Sequence, residues 1–334
     1  MKIAIYSRDS SNYGILVIIE QLIRSCNKYG VECRQICSLT EGNHDETIIP
    51  YGVLEAMEML KHKGNVPMAF LIDAISLGAW NKFVVYTKTG YIFHKDYIKT
   101  LLQFFRWYYY DSYVAKHVKN IMLVSECDGN YLKKIKSDSN IIVCPNGVIN
   151  NAHIKEKQPS QNLRMGILSS FLSPTAIYEN GWFIYKYFRK YAKENPNVEL
   201  VLAGRGKYIE VFANEPNVRI LGEVDDLADF FKEIDVFIGA NAKGCGILNR
   251  VLDAFTYQVP VIGHKNAFTG FGDMHESFLP FENYKSFTTV IDKLMNGEIN
   301  SEEMVVNASL QIERYYNWDK NYNKLVETIL NILR

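Results

Sequence analysis

The chain has 334 residues, enough for one or two domains, and its 48% apolar composition can bury a substantial core. Thirty-seven Lys and Arg balance 37 Asp and Glu, which argues against a dedicated duplex-DNA binder. Residues 1–157 hold 19 basic against 15 acidic side chains, so the N-terminal half would tolerate an anionic acceptor or a lipid surface. The six cysteines (Cys26, Cys33, Cys37, Cys127, Cys144, Cys245) include no C-x-x-C, so reduced thiols are expected rather than disulfides or zinc. MKIAIYSRDSSNYG turns polar too soon for a signal peptide, and no apolar run approaches the ~18 residues that would span a bilayer. A soluble, cytoplasmic protein is expected, with peripheral contact at the inner membrane face as the alternative.

Along the first half, Lys2–Ser7 reads as a buried strand, Arg8–Gly14 as a polar loop and Ile15–Lys28 as an amphipathic helix. Val31–Cys37 alternates like a second strand, and this βαβ opening predicts a doubly wound sheet. The loop lacks G-x-G-x-x-G, which argues against a nicotinamide dinucleotide site. Thr47–Ile49 predicts a strand, Val53–Lys63 a helix, and Val66–Asp73 an apolar strand that ends in a carboxylate facing the crevice. A long helix is expected over roughly Asp96–Lys119. Its aromatic run QFFRWYYYDSYVAKH reads first as packing, and otherwise as a cradle for an acceptor or a membrane contact. Strands at Ile121–Ser125 and Ile141–Pro145 close the first domain. The polar, aperiodic NAHIKEKQPSQN at 151–162 reads as a linker.

The second half repeats the same order of elements. Leu163–Leu168 predicts a strand, Asn180–Lys193 a helix, and Val198–Ala203 a strand running into Gly204-Arg205-Gly206-Lys207. Asn217–Leu221 predicts a strand, followed by GEVDD and a helix at Leu227–Ile234. Val236–Gly239 then reads as a buried strand and Ala240–Gly246 as a glycine loop. A helix follows whose apolar face is Leu248, Val251, Leu252 and Phe255. Arg250 and Asp253 fall on its other side. A helix N-terminus carrying a cation suits a diphosphate, although the two side chains also read as an exposed i,i+3 ion pair worth a few tenths of a kcal/mol. The glycines of HKNAFTGFGD, after Ile262, predict a mobile loop over residues 263–273. YYNWDKNYNKLVETILNIL predicts an amphipathic C-terminal helix.

GILNRVLDAFTYQVPVIG resembles the C-terminal signature of GT-B glycosyltransferases of family 4, roughly G-x-x-x-K/R-V-L-E-A-M-A-x-G-x-P-V-V. VCPNGVI is similar to that family's P-N-G-V-D element, LIDAISLGAW to a D-A-L-S stretch, and the strand running into Gly204-Arg205-Gly206 to its V-G-x-G strand end. The resemblance implies α/β architecture with two Rossmann-like parallel-sheet domains facing across a cleft. These would be an acceptor-side domain over 1–155 and a donor domain over 163–312, with a helix over 313–334 crossing back to the first. It implies that Arg205 and Arg250 hold a nucleotide diphosphate and that Asp253 holds the ribose. Gly14, Gly204, Cys245, Gly246 and Ile247 would line the donor, and Gly222, Glu223 and Val224 would meet the base. Asp73 and Ser76 become acceptor-side residues, with Asp73 also catalytic, and Asp111 falls where relatives carry a glutamate. Three positions differ. Cys245 stands in place of the family's first glutamate, Gln258 in place of a glycine, and Asn180-Gly181 in place of a lysine-glycine pair that begins a helix.

The function expected is transfer of a sugar from a nucleotide-sugar to a glycan or lipid-linked acceptor, with retention. The donor is a substrate, and neither cofactor nor metal is expected, since the sequence has no D-x-D and its histidines lack ligand spacing. Two other readings share the fold: a non-catalytic partner subunit of a transferase, and a nucleotide-sugar 2-epimerase.

Overall fold

The computed structural model describes residues 1–8, 13–93, 96–136, 138–148, 155–157, 159–272 and 274–333. Residues 151–154 and 158 of the expected linker and residues 9–12 of the Arg8–Gly14 loop lie outside the described residues.

Short apolar stretches become strands because alternate side chains find helices on opposite faces. In β1 (Lys2–Tyr6), Ile3 and Ile5 pack to one side and Ala4 and Tyr6 to the other. The first domain continues with α1 (Tyr13–Lys28), β2 (Glu32–Ile36), β3 (Glu46–Pro50), α2 (Val53–Lys63) and β4 (Val66–Ile72). It then runs through α3 (Ile75–Lys88), α4 (Asp96–His117), β5 (Val118–Leu123), α5 (Glu126–Lys136) and β6 (Asn140–Val143). All pairings are parallel. Strands β2-β1-β3 and β4-β5-β6 form two ladders, joined by a single bridge between Tyr51 and Phe70.

The second domain comprises β7 (Leu163–Leu168), α6 (Thr175–Phe183), a π-helical turn at Ile184–Phe188, α7 (Arg189–Glu194), β8 (Val198–Ala203) and β9 (Val218–Gly222). After these come α8 (Leu227–Phe231), β10 (Val236–Gly239), α9 (Asn249–Thr256), β11 (Val261–His264), β12 (Leu279–Phe281), α10 (Tyr284–Met295) and α11 (Ser301–Tyr315). Its six parallel strands run β9-β8-β7-β10-β11-β12, so the order reverses between β7 and β10. Ligands bind outside the carboxyl ends of strands at such a reversal.

The last helix, α12 (Trp318–Leu333), packs on the first domain. It buries Trp318, Tyr322, Leu325, Val326 and Ile329 beside Ile3, Ile18 and Ile19, at ~2 kcal/mol of transfer free energy for each. The PNG element is the seat for this crossing. Gly147 has no room for a side chain because the Trp318 backbone lies against it, and the Val148 amide donates to the Tyr316 carbonyl at 2.9 Å.

Three segments differ from the sequence expectation. Ile75–Lys88 is a helix, although its apolar content runs round the cylinder without a period. The expected helix at Asn180 begins one turn and more earlier, at Thr175, so Asn180 lies inside it. Residues 263–272 are packed rather than loose. Phe268 and Phe271 are buried, the Phe268 and Phe278 rings stack at 3.8 Å, and Tyr316 Oη donates to the Phe271 carbonyl at 2.9 Å.

Gln258 has φ +55° and an exposed side chain, at the C-terminal turn of α9 where the Val259 amide returns to the Ala254 carbonyl at 2.9 Å. That closure places a left-handed residue just past the helix. The Gln258→Gly variant should therefore be more stable by about 0.5–1 kcal/mol, left-handed strain outweighing glycine's extra chain entropy. Thermal unfolding checks this; an unchanged or lower midpoint would show that Gln258 is unstrained.

Candidate functional site at the domain boundary

The β10–α9 loop leaves the second domain at the strand reversal and docks into the first. Its Gly246 amide donates to Asp128 Oδ2 at 2.8 Å, and Asn81 Nδ2 donates to the Gly244 carbonyl at 2.9 Å. A methyl group at Gly246, whose φ is +64°, would overlap the Asp73 carboxylate, and one at Gly78 would press on Cys245 Sγ. Gly270 lies so close to the Gly246 carbonyl that it too has no room for a side chain. Asn146, from the PNG element, donates to Asn249 Oδ1 at 3.0 Å and ties the start of α9 to the first domain.

Asp128 organises the first-domain side. Ser125 Oγ donates to its carboxylate while the Asp128 amide returns to Ser125 Oγ at 3.2 Å, a reciprocal cap on α5. The same carboxylate accepts the Ala74 amide at 2.9 Å, so it serves two strand ends and both domains while fully buried. Asp73 follows Ile72, a β-branched residue held at φ +67° beside a register shift in the β4–β5 ladder. This strained position sets the carboxylate against Gly246. Burial, and then the neighbouring Asp128, push Asp73 up to about 7, with Lys243 opposing. Burial pushes Asp111 up to about 6 and also holds the Cys245 thiol well above its ordinary range, Asp73 adding to the latter. Ser76 is fully buried. Its amide and Oγ donate to Asp111 Oδ2 at 2.8 and 2.5 Å, so it anchors α3 to α4 instead of facing an acceptor.

On the second-domain side, α9 begins at Asn249 with no side-chain cap, leaving first-turn amides at the strand reversal. Arg250 is half-buried and donates through Nη1 to Ser169 Oγ at 3.4 Å; Asn180 Nδ2 donates to the same oxygen at 3.1 Å. Burial pulls the Arg250 guanidinium down, while Glu179 and Asp253 act to raise it. Asp253, also half-buried, is pushed up to about 6 by burial against the pull of Arg250. These two side chains are therefore not the exposed pair that the helical pattern left open. Glu179 accepts from Lys243 at 2.8 Å and lies 3.9 Å from Lys82 of the first domain. Burial alone would raise Glu179, but Lys243, Lys82 and Arg250 outweigh it and hold its carboxyl below the ordinary range.

The remaining expected residues are placed less centrally. The Gly204–Gly206 turn fits tightly on the loop after β7, since side chains at Gly204 and Gly206 would overlap Ser169 and Phe171 backbone. Arg205 between them is 71% exposed and lies 3.5 Å from Glu223, an open pair of small energetic weight. Gly222, at φ +80°, passes its carbonyl to the Gly204 amide at 2.7 Å, and Glu223 and Val224 line a shallow depression with Asp229 and Lys232. Ile247 is half-buried beside Gly246. Gly14 lies in the first turn of α1. Among the described residues, no group of three or more His, Cys, Asp and Glu is placed to hold a metal ion.

Sequence reasoning passed over Asp128, Ser169, Glu179 and Lys243. For Asp128 a signal existed: Ser125-Glu126-Cys127-Asp128 has the spacing of a capping box. That spacing marks a helix start, whereas the bond to Gly246 depends on the other domain's position. The others carry no local pattern.

Two doubly wound parallel-sheet domains, with a terminal helix returning to the first, constitute the GT-B fold of glycosyltransferases. The sucrose-phosphate synthase of Thermosynechococcus elongatus superposes with a TM-score of 0.74 at 12% identity, covering 100% of this chain and 99% of its own. HepE of Anabaena, in complex with UDP, superposes at 0.68 and 12% identity, covering 99% and 100%. A glycosyltransferase of Rickettsia africae superposes at 0.59 and 12%, covering 100% and 98%. Residues 170–296 match the family model described as "Glycosyl transferases group 1". The resemblance to GT-B glycosyltransferases is thus borne out in the fold, and the family match lies within the second domain. No curated protein matches the sequence significantly.

Two outcomes test this geometry. Asp128→Ala leaves the Ala74 and Gly246 amides without their charged acceptor and should cost about 3 kcal/mol in urea unfolding; a loss below about 1 kcal/mol would mean that the Gly246 bond is not formed in solution. Asp73 has a folded pKa of about 7 against about 4 unfolded, so the folded state keeps its proton over that window. Its contribution is fully present below pH ~4 and is lost as pH rises to ~7. Asp73→Asn should accordingly gain stability relative to the parent between pH 5 and 8; a pH-independent difference would show an ordinary carboxylate.

Proposed function

We propose that the protein is a nucleotide-sugar-dependent glycosyltransferase whose donor diphosphate is held at the start of α9. The observation that carries this is Arg250, half-buried beside an uncapped helix N-terminus at the strand reversal. Its guanidinium holds Ser169 Oγ only at 3.4 Å, a loose bond that an anionic oxygen would replace with a stronger, charge-assisted one. Amides and guanidinium together would stabilise the charge that develops on the departing diphosphate. Asp253 would accept from the ribose. HepE has been solved with UDP, with UDP and glucose, and with UDP-glucose, which makes UDP the first nucleotide to test. Arg205 would swing from Glu223 to the diphosphate.

Asp73, at the domain boundary with a pKa near neutrality, is suited to take the proton from an acceptor hydroxyl. The acceptor would be a glycan or a lipid-linked sugar, and retention follows from the family resemblance. Cys245, kept as a thiol, supplies no carboxylate nucleophile. The work is cytoplasmic on this reading and needs no metal.

A non-catalytic partner subunit is the second reading, favoured by one observation. Asn180, where the sequence resemblance puts a lysine, is a neutral side chain inside α6, and its amide is spent on Ser169 and on the Ala176 carbonyl.

The test is release of UDP from UDP-glucose or UDP-N-acetylglucosamine by the purified protein and by Arg250→Ala. Charge-assisted contacts of this kind are worth about 2–3 kcal/mol, so the variant should lose about 30- to 150-fold in turnover at an unchanged melting temperature. Equal turnover would remove Arg250 from the site. Binding of UDP without turnover on any sugar would favour the partner subunit.

A further inference from the structure

α4 carries two opposed faces. Asp111 turns inward, fully buried, and fixes Ser76 at the start of α3. On the other side Ile98, Leu102, Phe105 and Tyr109 recur at steps of four, three and four residues, which puts them within about 60° of one another on the cylinder. They are 67%, 65%, 59% and 59% exposed. Trp80 of α3, 42% exposed, extends the surface by packing its ring tilted against Phe104, with centroids 5.1 Å apart. Such a continuous row of large apolar side chains marks an interaction surface.

The surrounding charge identifies the partner. Between residues 74 and 125 the sequence has seven Lys or Arg and two Asp; Lys82 and Asp111 are buried, which leaves six cations against one acid. Lys99 and Arg106 are exposed and flank the row on one side, about 80–100° round the helix. Lys116 continues it toward the C-terminus. The contrast is α11, where exposed Val306 and Leu310 lie among Glu302, Glu303 and Glu313. A second copy docked symmetrically on α4 would set Lys99 and Arg106 against their own equivalents. Among the described residues no helix is long and apolar enough to cross a membrane. Aromatic and aliphatic side chains on one face with cations at the margin suit a helix lying in a headgroup layer.

We propose that the exposed face of α4, with Trp80, seats this protein on an anionic lipid bilayer. The contact stands whether or not the donor reading holds. If both hold, the helix that touches the bilayer is also the one that, through Asp111 and Ser76, supports the Asp73 side of the cleft.

Flotation of the full chain with phosphatidylglycerol-containing vesicles, and with phosphatidylcholine alone, tests the proposal. Binding is expected to the anionic vesicles only and should fall with added salt. Lys99→Glu with Arg106→Glu should weaken partition by about 20-fold or more, since each cation near such a surface contributes roughly a factor of five. Leu102→Glu with Phe105→Glu should abolish it. Where a variant melts early, quenching of tryptophan fluorescence by brominated lipid in the unmodified chain, compared with Trp80→Phe, replaces it, because Trp182 and Trp318 are buried, Trp107 packs half-buried on the first-domain core and Trp80 is exposed. Failure to float on anionic vesicles, undiminished binding of the Leu102/Phe105 variant, or absence of quenching would overturn the proposal. So would a dimer that dissolves on the Leu102/Phe105 change without any vesicle binding, which would assign the face to a second copy.

Discussion

A buried carboxylate joins the two domains. Asp128 sits at the first turn of α5, and its oxygens accept amides from Ala74 in its own domain and Gly246 in the other. A charged acceptor taken out of water is tolerated only where donors replace the lost hydration. Here those donors are backbone groups of two loops, so satisfying one side chain fixes the position of both. The glycines follow from it. Gly246 and Gly78 must lack side chains for the loop to reach Asp128 past Asp73 and Cys245. Gly270 closes the same contact from behind.

That closeness also sets the electrostatics of the cleft. Burial raises the affinity of Asp73, Asp111 and Asp128 for a proton, and Asp128 adds to it at Asp73 and at Asp111. Lys243 and Lys82 come in from different domains to Glu179, so this cation-rich side is also shared. The Cys245 thiol lies between the two sides. A glutamate there, as in relatives, would add another carboxylate to a group whose members already resist ionisation. The exchange of glutamate for cysteine and the pairing of Asp128 with Gly246 are thus physically compatible features of one site.

Short, near-continuous apolar runs let the inner strands be read from the sequence, because a parallel sheet covered on both faces buries the side chains of both. β7 and β8 fall where that pattern puts them, as does helix α2. The Arg250 and Asp253 pair was legible as the polar edge of an apolar helix, although its burial was not, since burial comes from α6 and the loop after β7. α3 was missed because a helix apolar on all sides shows no period. Asn180 was misplaced because a buried asparagine inside a helix has the same letter as one that starts it. The loop over 263–272 was misjudged because glycine gives freedom in an open chain but permits close packing when Phe268 and Phe271 find a core.

By itself, then, the sequence determined two repeats of strand and helix, a terminal helix with one apolar stripe, and a cation at a helix start after a buried strand. Each of these is a local periodicity or a short spacing, and neighbouring residues suffice to specify it. Only the tertiary structure decided that Asp128 faces Gly246, that Asp73 titrates near neutrality, that Ser76 is spent on Asp111, and that one face of α4 is left open. Those facts depend on atoms separated by tens to more than a hundred positions, on the water excluded between them, and on which surfaces the second domain happens to cover.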